Sequence, residues 1–277
     1  MKPDTMKVLL TGATGGIGAA LAARLAEQGA RLLLTGRNEA KLDRLRDRLS
    51  AKGYAVDAVA ADLDDPGSLE RLVEAAKRFE GGVNVLVNNA GVNRFGRFLD
   101  QPRDAVAAIV NTNVVAPMRL THALLPQLET EPEAMIVNVG SIVGSIGLPG
   151  QVAYSSSKFA LHGFSEALRR ELGNSRIKVV YVAPRATDTD MNDAAQRAVN
   201  EQTGTRSDTP EHVARVIANA MHKAHRERFL GWPERLFVKV NALFPGLVDR
   251  SVSKQADLLD EPAPESSPSL RIDGVKQ

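Results

Sequence analysis

Lys7-Val8-Leu9-Leu10-Thr11-Gly12-Ala13-Thr14-Gly15-Gly16-Ile17-Gly18 is the stretch whose reading decides the fold. A short apolar run ends in a glycine-rich turn, and Ile17 to Gln28 continues as an Ala/Leu-rich helix. Glycine lets a backbone turn tightly and approach a phosphate closely. The helix N-terminus adds free N–H groups and a partial positive charge. Gly12, Gly16 and Gly18 follow Gly-x-x-x-Gly-x-Gly spacing, not the more familiar Gly-x-Gly-x-x-Gly. By itself the pattern fits a plain strand-to-helix turn as well as a pyrophosphate cradle.

Outward from this turn the chain alternates strand and helix. Strands are predicted at Arg31–Thr35, Tyr54–Ala61, Val83–Val87, Ala134–Val139 and Lys178–Ala183. Helices are predicted at Glu39–Ala51, Ser68–Phe79, Arg103–Leu128 with a kink at Pro117, Ala153–Gly173 and Pro210–His225. Thr209 reads as the N-cap of that last helix, with Pro210 at its first position. The segment from Asp188 to Asp208 is polar and lacks periodicity. Short apolar strands joined by helices imply an α/β fold: a doubly wound parallel sheet of Rossmann type, three layers deep, with helices on both faces. Ligands bind such sheets at the carboxyl ends of the strands.

Bulk composition removes several function classes. Of 277 residues, 43% are hydrophobic and 25% charged, an ordinary globular balance. The net charge is +2 with dispersed basic residues, so no nucleic-acid partner is implied. The absence of cysteine excludes disulfide and thiol chemistry. His222 and His225 could meet on one helical face, but they read better as cations near a helix C-terminus than as metal ligands. No metal site is expected. The N-terminus runs straight into a strand without a signal-peptide core, and no apolar stretch is long enough to span a bilayer. The expected location is the cytoplasm.

Two further places carry chemistry. The second strand ends Gly36-Arg37, where a carboxylate would hold the ribose hydroxyls of NAD and an arginine can pair with the 2′-phosphate of NADP. The third ends Ala61-Asp62-Leu63, where Asp62 serves either the adenine amino group or the turn itself. Tyr154 and Lys158 lie four residues apart, on one face of a helix. A free phenol has a pKa of about 10, and a nearby ammonium favours its ionised form. Such a pair can move a proton at neutral pH.

Together these residues resemble the short-chain dehydrogenase/reductase family in its single-domain form, over roughly residues 6 to 230. The resemblance rests on Thr11-Gly-x-x-x-Gly-Ile-Gly18, Asp62-Leu63, Asn88-Asn89-Ala90-Gly91, Asn113, Ser141, Tyr154-x-x-x-Lys158 and Pro184 to Thr189. It implies that Tyr154 is the general acid/base, that Lys158 lowers its pKa and holds the nicotinamide ribose, and that Ser141 binds the substrate oxygen. It implies that Asn113 positions Lys158 through a water. Asn111 is the rival, and Asn113 fits better by its distance to Thr121–Pro126. Gly12, Thr14, Gly15, Gly16, Ile17 and Gly18 would cradle the cofactor. Arg37, Asp62, Leu63, Asn89, Ala90 and Gly91 would line its adenosine side, and Asn88 would brace the sheet. Pro184, Ala186 and Thr189 would face the carboxamide. Arg185 stands where the family usually has glycine, so it is expected to alter that loop and to touch cofactor or substrate. Gly15 stands where many NADP-binding members carry a basic residue.

The implied activity is an NADP(H)-dependent interconversion of a hydrophobic ketone or aldehyde and its alcohol. A catalytically silent NADP-binding regulator or scaffold is the alternative. A sugar-nucleotide epimerase is disfavoured, because little chain remains for a substrate domain. Ile142, Val143, Ile146, Leu148 and Val152 are expected on one wall of an apolar pocket, with Phe95 and the segment after Thr189 opposite. Residues 1–230 form the cofactor-binding domain in this reading. Residues 231–256 are an amphipathic extension packed on it, with a helix over 234–244 that carries Leu236, Phe237, Val240, Leu243 and Phe244 on one face, extended by Leu247 and Val248. An interfacial membrane helix is the rival reading of that stripe, and packing on protein is preferred. Residues 257–277 are expected to be disordered. The expected assembly is a homodimer or homotetramer.

Overall fold

Alternate residues of each strand feed opposite faces of one sheet, and that alternation sets the three layers. The computed structural model describes residues 1–259. Strands β1 (Lys7–Leu10), β2 (Arg31–Gly36), β3 (Val56–Ala60), β4 (Val85–Asn88), β5 (Ala134–Val139), β6 (Ile177–Ala183) and β7 (Glu227–Phe229) form a sheet in the order β3-β2-β1-β4-β5-β6-β7. Every pairing is parallel. Val8, Leu10, Leu32, Leu34, Val85 and Val87 face a layer built by α1 (Gly16–Glu27), α2 (Glu39–Ser50) and α8 (Pro210–His222). Leu9, Leu33, Leu86, Ile136 and Val179 face α3 (Pro66–Arg78), α5 (Ala116–Thr130) and α6 (Val152–Glu171). The chain runs outward from β1 to β3 and then returns to β4. The crevice at the carboxyl ends of β1 and β4 is therefore the topological switch point, where doubly wound sheets bind ligands.

Local chemistry sets the helix starts. Thr209 caps α8 by accepting from His212 N at 3.2 Å, with Pro210 in the first turn. Asn38 and Asp65 cap α2 and α3 in the same way.

Four departures from the sequence reading have physical causes. The long helix expected from Arg103 is broken into α4 (Arg103–Val110), a wide π turn over Asn111–Val115, and α5. Pro117 has no N–H for the carbonyl of Asn113 and its ring crowds that group, so the disturbance falls one turn before the proline. The N–H of Ala116 reaches back to Asn111 O. The polar segment contains α7 (Ala194–Gln202), capped by Asp193 at 2.8 Å from Gln196 N. Gln196 is the one fully buried residue of α7, so no apolar period announced it. The third is β7, too short at three residues to carry a pattern.

The helix expected over 234–244 is α9 (Glu234–Leu243), and the residues that extend its stripe belong to a second helix, α10 (Pro245–Asp257). The break at Phe244-Pro245 changes its helical phase. Val238, Val240, Val248 and Val252 pack on Ile142 and Ile146, and Asn241 donates to Ser145 O at 2.9 Å. Leu236, Phe237, Leu243, Phe244 and Leu247, expected on the packed face with Val240, stay exposed. Asp257 closes α10, and the expected disordered tail lies outside the described residues from 260 onward. Among the described residues no helix is long and apolar enough to cross a membrane.

Candidate active site

The glycine turn after β1 is built by close backbone approach. Gly12 has φ 63°, a left-handed conformation, and a Cβ there would sit 2.7 Å from Ala90 Cα. A Cβ on Gly18 would collide with the carbonyl of Gly12. The turn is tied down from β4. Asn89 Nδ2 donates to Thr11 O at 3.0 Å and Gly12 O at 3.2 Å. The Thr11 hydroxyl accepts from the N–H groups of Asn89 and Ala90 at 2.9 and 3.0 Å. Asn89 thus spends its amide nitrogen on the turn. Thr11, quoted in the sequence only as part of the motif, is the buried bracket that joins the two strands. Gly15 caps α1 without a side chain, and Gly15 and Gly16 are exposed. The first-turn N–H groups of α1 have no intrahelical partner, so they suit an anion.

A cavity of about 410 Å³ runs from this turn in both directions. Towards β2 and β3 it is lined by Thr14, Arg37, Asp62 and Leu63. Arg37 is exposed and has no ion-pair partner among the described residues. Asp62 Oδ1 accepts from Asp64 N at 3.1 Å, so it serves the turn and still faces the cavity. This cradle, with free N–H groups beside Arg37, fits a dinucleotide.

Towards β5 and β6 the cavity is lined by Ser141, Tyr154, Lys158, Pro184, Ala186 and Thr189. Ser141 follows β5, and its hydroxyl accepts from Val143 N at 3.3 Å and hydrogen-bonds the phenol of Tyr154. Lys158 lies one turn along α6. Its Nζ donates to Val139 O at 3.1 Å and stands 5.6 Å from the centroid of the Tyr154 ring. Burial pushes the Tyr154 phenol up to about 12, partly opposed by the Ser141 hydrogen bond. Burial draws the Lys158 ammonium down to about 8. The sequence reading expected the ammonium to lower the phenol. In this geometry desolvation dominates, because the phenol is buried and the ammonium makes no hydrogen bond to it among the described contacts.

Asn113 sits in the π turn, fully buried, whereas its rival Asn111 is exposed. Its side chain is fully engaged. Oδ1 accepts from Val92 N at 2.8 Å, and Nδ2 donates to Val92 O at 2.9 Å and Ser157 Oγ at 3.0 Å. A Cβ on Gly91 would lie 3.2 Å from Asn113 Oδ1 and 3.6 Å from Lys158 Nζ. Asn113 therefore fixes the loop beneath Lys158 without a direct side-chain bond to it. Asn88 bonds Asn138 Oδ1 at 2.8 Å and so braces the sheet.

Arg185 lines the cavity and is also tied into the surrounding structure. Its Nη2 and Nε bond both carboxylate oxygens of Asp208 at 2.8 and 3.1 Å, and Nη1 bonds Glu234 at 3.2 Å. One side chain thus joins the loop after β6 to the residue before the α8 cap and to the start of α9. The two carboxylates hold its pKa above the usual guanidinium value. Asp208 N also donates to Ala186 O at 2.8 Å. The methyl of Thr189 closes on Gly16, 2.7 Å from where a Cβ would stand.

On the substrate side Phe95, Ile142, Val143 and Leu148 line the cavity as expected. Ile146 does not: it packs in the small core beneath α10. Val152 does not either, being exposed on a shallow surface beside Phe159. The pocket is also more polar than the sequence suggested. Asn93, Gln151, Asn192 and Gln196 line it, and Asn93 Nδ2 bonds Gln196 Oε1 at 3.2 Å. Gln196, Val199 and Asn200 share one face of α7, a spacing that Asp193 as N-cap could have revealed. His222 and His225 are both exposed.

The comparisons agree with this geometry. A family model described as short chain dehydrogenase matches residues 6–200. The uncharacterized oxidoreductase YxnA of Bacillus subtilis is 34% identical over 254 residues, covering 89% of this chain and 71% of that protein. A short-chain dehydrogenase from Sphingobium yanoikuyae, solved with NADPH, superposes with a TM-score of 0.75 at 29% identity, covering 95% of this chain and 98% of its own. A short chain dehydrogenase/reductase from Burkholderia phymatum, solved with NAD, has a TM-score of 0.82 at 24% identity and shares the fold over 90% of this chain and 96% of its own. With its seven-stranded parallel sheet and glycine turn, the chain belongs to the short-chain dehydrogenase family of nicotinamide-dependent oxidoreductases.

Proposed function

We propose that the protein is an NADPH-dependent reductase of a hydrophobic ketone or aldehyde, able to run in reverse on the alcohol. The observation that carries this reading is the hydroxyl pair Ser141–Tyr154, backed by Lys158, in the same cavity as the glycine turn. Arg37 supports the choice of NADPH, because a cation at the end of β2 with no ion-pair partner among the described residues suits a 2′-phosphate. Gly12, Gly15, Gly16, Ile17 and Gly18 hold the pyrophosphate, Asp62 and Leu63 the adenosine end, and Tyr154, Lys158, Pro184, Ala186 and Thr189 the nicotinamide end. When bound, the cofactor supplies the hydride.

The chain's own residues handle the oxygen and the proton. Ser141 and Tyr154 hydrogen-bond the carbonyl oxygen as negative charge develops there. A phenol pushed up to about 12 keeps its proton at neutral pH, so Tyr154 enters the reduction as the acid. The Lys158 ammonium stabilises the phenolate left behind, and Asn113 holds the loop on which Lys158 rests. Phe95, Ile142, Val143 and Leu148 accept an apolar substrate body, and Asn93 and Gln151 meet a polar substituent on it. Val110 at the end of α4 and Val115 in the π turn, with Val152 and Phe159 on α6, are exposed and support a homodimer or homotetramer. A cytoplasmic location completes the reading.

The test is a panel of aliphatic and aromatic ketones and aldehydes, followed at the absorbance band of the reduced cofactor. Turnover is expected on bulky apolar members, faster with NADPH than with NADH. Cofactor binding without turnover on any member would overturn the enzyme reading.

A further inference from the structure

The outer face of α9 and α10 is apolar where the fold supplies no reason. The inner face is fully employed: its valines pack on Ile142 and Ile146, Asn241 bonds Ser145, and Glu234 bonds Arg185. Yet between Trp232 and Leu247 six large side chains face water. They are Trp232 at 65% exposure, Leu236 at 44%, Phe237 at 43%, Leu243 at 72%, Phe244 at 61% and Leu247 at 59%. Exposed apolar residues are ordinary singly, but a group of this size marks a contact surface.

Charge identifies what it contacts. Arg228, Arg235, Lys239 and Arg250 are exposed and have no ion-pair partner among the described residues. Of the two carboxylates between 232 and 250, Glu234 is tied to Arg185 and Asp249 alone is exposed. Lys239 lies three residues after Leu236 and four before Leu243, on the same helical face. A dry protein interface would bury that ammonium without a partner. A two-fold contact between copies would also set like charges against each other. A lipid headgroup layer accepts both features: aromatic and aliphatic groups enter the boundary, while Lys and Arg stems lie along it and reach anionic headgroups.

The face also adjoins the substrate cavity. Glu234, two residues after Trp232, lines it. Leu259, just beyond α10, comes within 2.9 Å of where a Cβ on Gly150 would stand, beside the ring of Phe95. Both ends of the helix pair therefore border the cavity.

We propose that the outer face of α9 and α10 docks on an anionic bilayer, lying in its interface without spanning it. Docking would bring the cavity to a membrane-dissolved substrate, a clause that rests on the function proposed above; the docking itself does not. The proposal takes up the interfacial-helix reading for the exposed part of the stripe, while Val240 and Val248 pack on protein.

The test is flotation of the full-length protein with phosphatidylcholine vesicles, with and without phosphatidylglycerol. The wild type should float with phosphatidylglycerol vesicles, fall off as salt is raised, and stay down with phosphatidylcholine alone. Leu243→Glu/Phe244→Glu and Arg235→Glu/Lys239→Glu should each lose flotation at least tenfold while binding NADPH as the wild type does. That binding readout separates failure of docking from failure of the oxidoreductase reading. A wild type that stays down with both vesicles would overturn the proposal, as would a Leu243→Glu/Phe244→Glu variant that still floats. If the wild type stays down and that variant splits an oligomer by light scattering, a second copy covers the face and the lipid reading is wrong.

Discussion

The glycine turn after β1 and the loop after β6 line one cavity and are held by opposite means. The turn is held by omission. Gly12 and Gly18 let backbone approach backbone, Gly16 admits the Thr189 methyl, and a methyl at any of them meets an atom already in place. The loop is held by addition. Arg185 reaches across 23 residues to Asp208 and 49 residues to Glu234. A site built from missing side chains is local in sequence and intolerant of change. A site built from long side chains is assembled from distant segments and can drift within a family. Perturbing single atoms on each side tests this contrast.

Tyr154→Phe carries the largest expected effect. It removes one oxygen from the side-chain-built half and leaves the turn intact. Turnover should fall by about 10²–10⁴-fold, the usual span for a general acid. NADPH affinity, measured by titration, should stay close to that of the wild type. Near-normal turnover in this variant would show that another group delivers the proton.

Lys158→Met separates stability from function. Burial lowers the folded-state pKa from 10.5 to about 8. Between those values the unfolded chain holds a proton that the folded lysine has released, so this group's contribution to stability rises with pH. At pH 7 the buried ammonium costs roughly 3 kcal/mol. The methionine variant should therefore melt higher than the wild type at pH 7, with the gap closing towards pH 10, while turnover and cofactor affinity both drop. In the wild type, reduction should decline above pH of about 8 as the ammonium is lost. A variant less stable than the wild type at both pH values would show that the bond to Val139 outweighs desolvation.

Gly12→Ala tests the turn. The new methyl meets Ala90 Cα from a left-handed backbone, an overpacking cost of about 1–3 kcal/mol. Cofactor affinity should fall with stability. Arg185→Gly tests the loop by installing the family's usual residue. It strands Asp208 and Glu234, whose side chains are 11% and 24% exposed. A loss of about 1–2 kcal/mol in urea unfolding is expected for this partly screened pair. Arg185→Lys should not restore it, because a single ammonium nitrogen cannot reproduce the bidentate pair with Asp208 and the bond to Glu234 together. If the glycine variant were as stable as the wild type, the tie would be ornamental and the contrast would fail.

What could be read from the sequence follows the same division. The parallel sheet, both helical layers and the glycine turn rest on local periodicity and on residues whose spacing is their function. Ser141, Tyr154 and Lys158 meet because β5 and α6 place them, and their spacing was visible. The Arg185 tie was not, since no local pattern links it to Asp208 or Glu234. The π turn escaped notice because a proline acts on the carbonyl four residues before it, displacing the break from Pro117 to Asn113. The split of the C-terminal stripe into α9 and α10 was hidden by apolar residues on both faces. Valine, not phenylalanine, turned out to face the core. The direction of the Tyr154 shift depends on burial and on where the Lys158 proton points, and neither is a property of spacing.

Arg37→Ala should have the smallest effect and sharpens the contrast most, because it is a side chain serving the backbone-built half. The guanidinium is exposed and has no carboxylate partner among the described residues, so it can meet a 2′-phosphate, but water and salt screen it. A charge-assisted bond contributes roughly 1.5–3 kcal/mol, and exposure places this one at the lower end. NADPH affinity should therefore fall about tenfold, with NADH affinity unchanged. The wild-type preference for NADPH should also narrow as salt is raised, while Gly12→Ala should weaken both cofactors together at any salt. Equal wild-type affinities for NADPH and NADH, measured by titration at low salt, would remove Arg37 from cofactor selection. Since Gly15 carries no charge, the glycine turn would then bind a dinucleotide without reading its 2′ position.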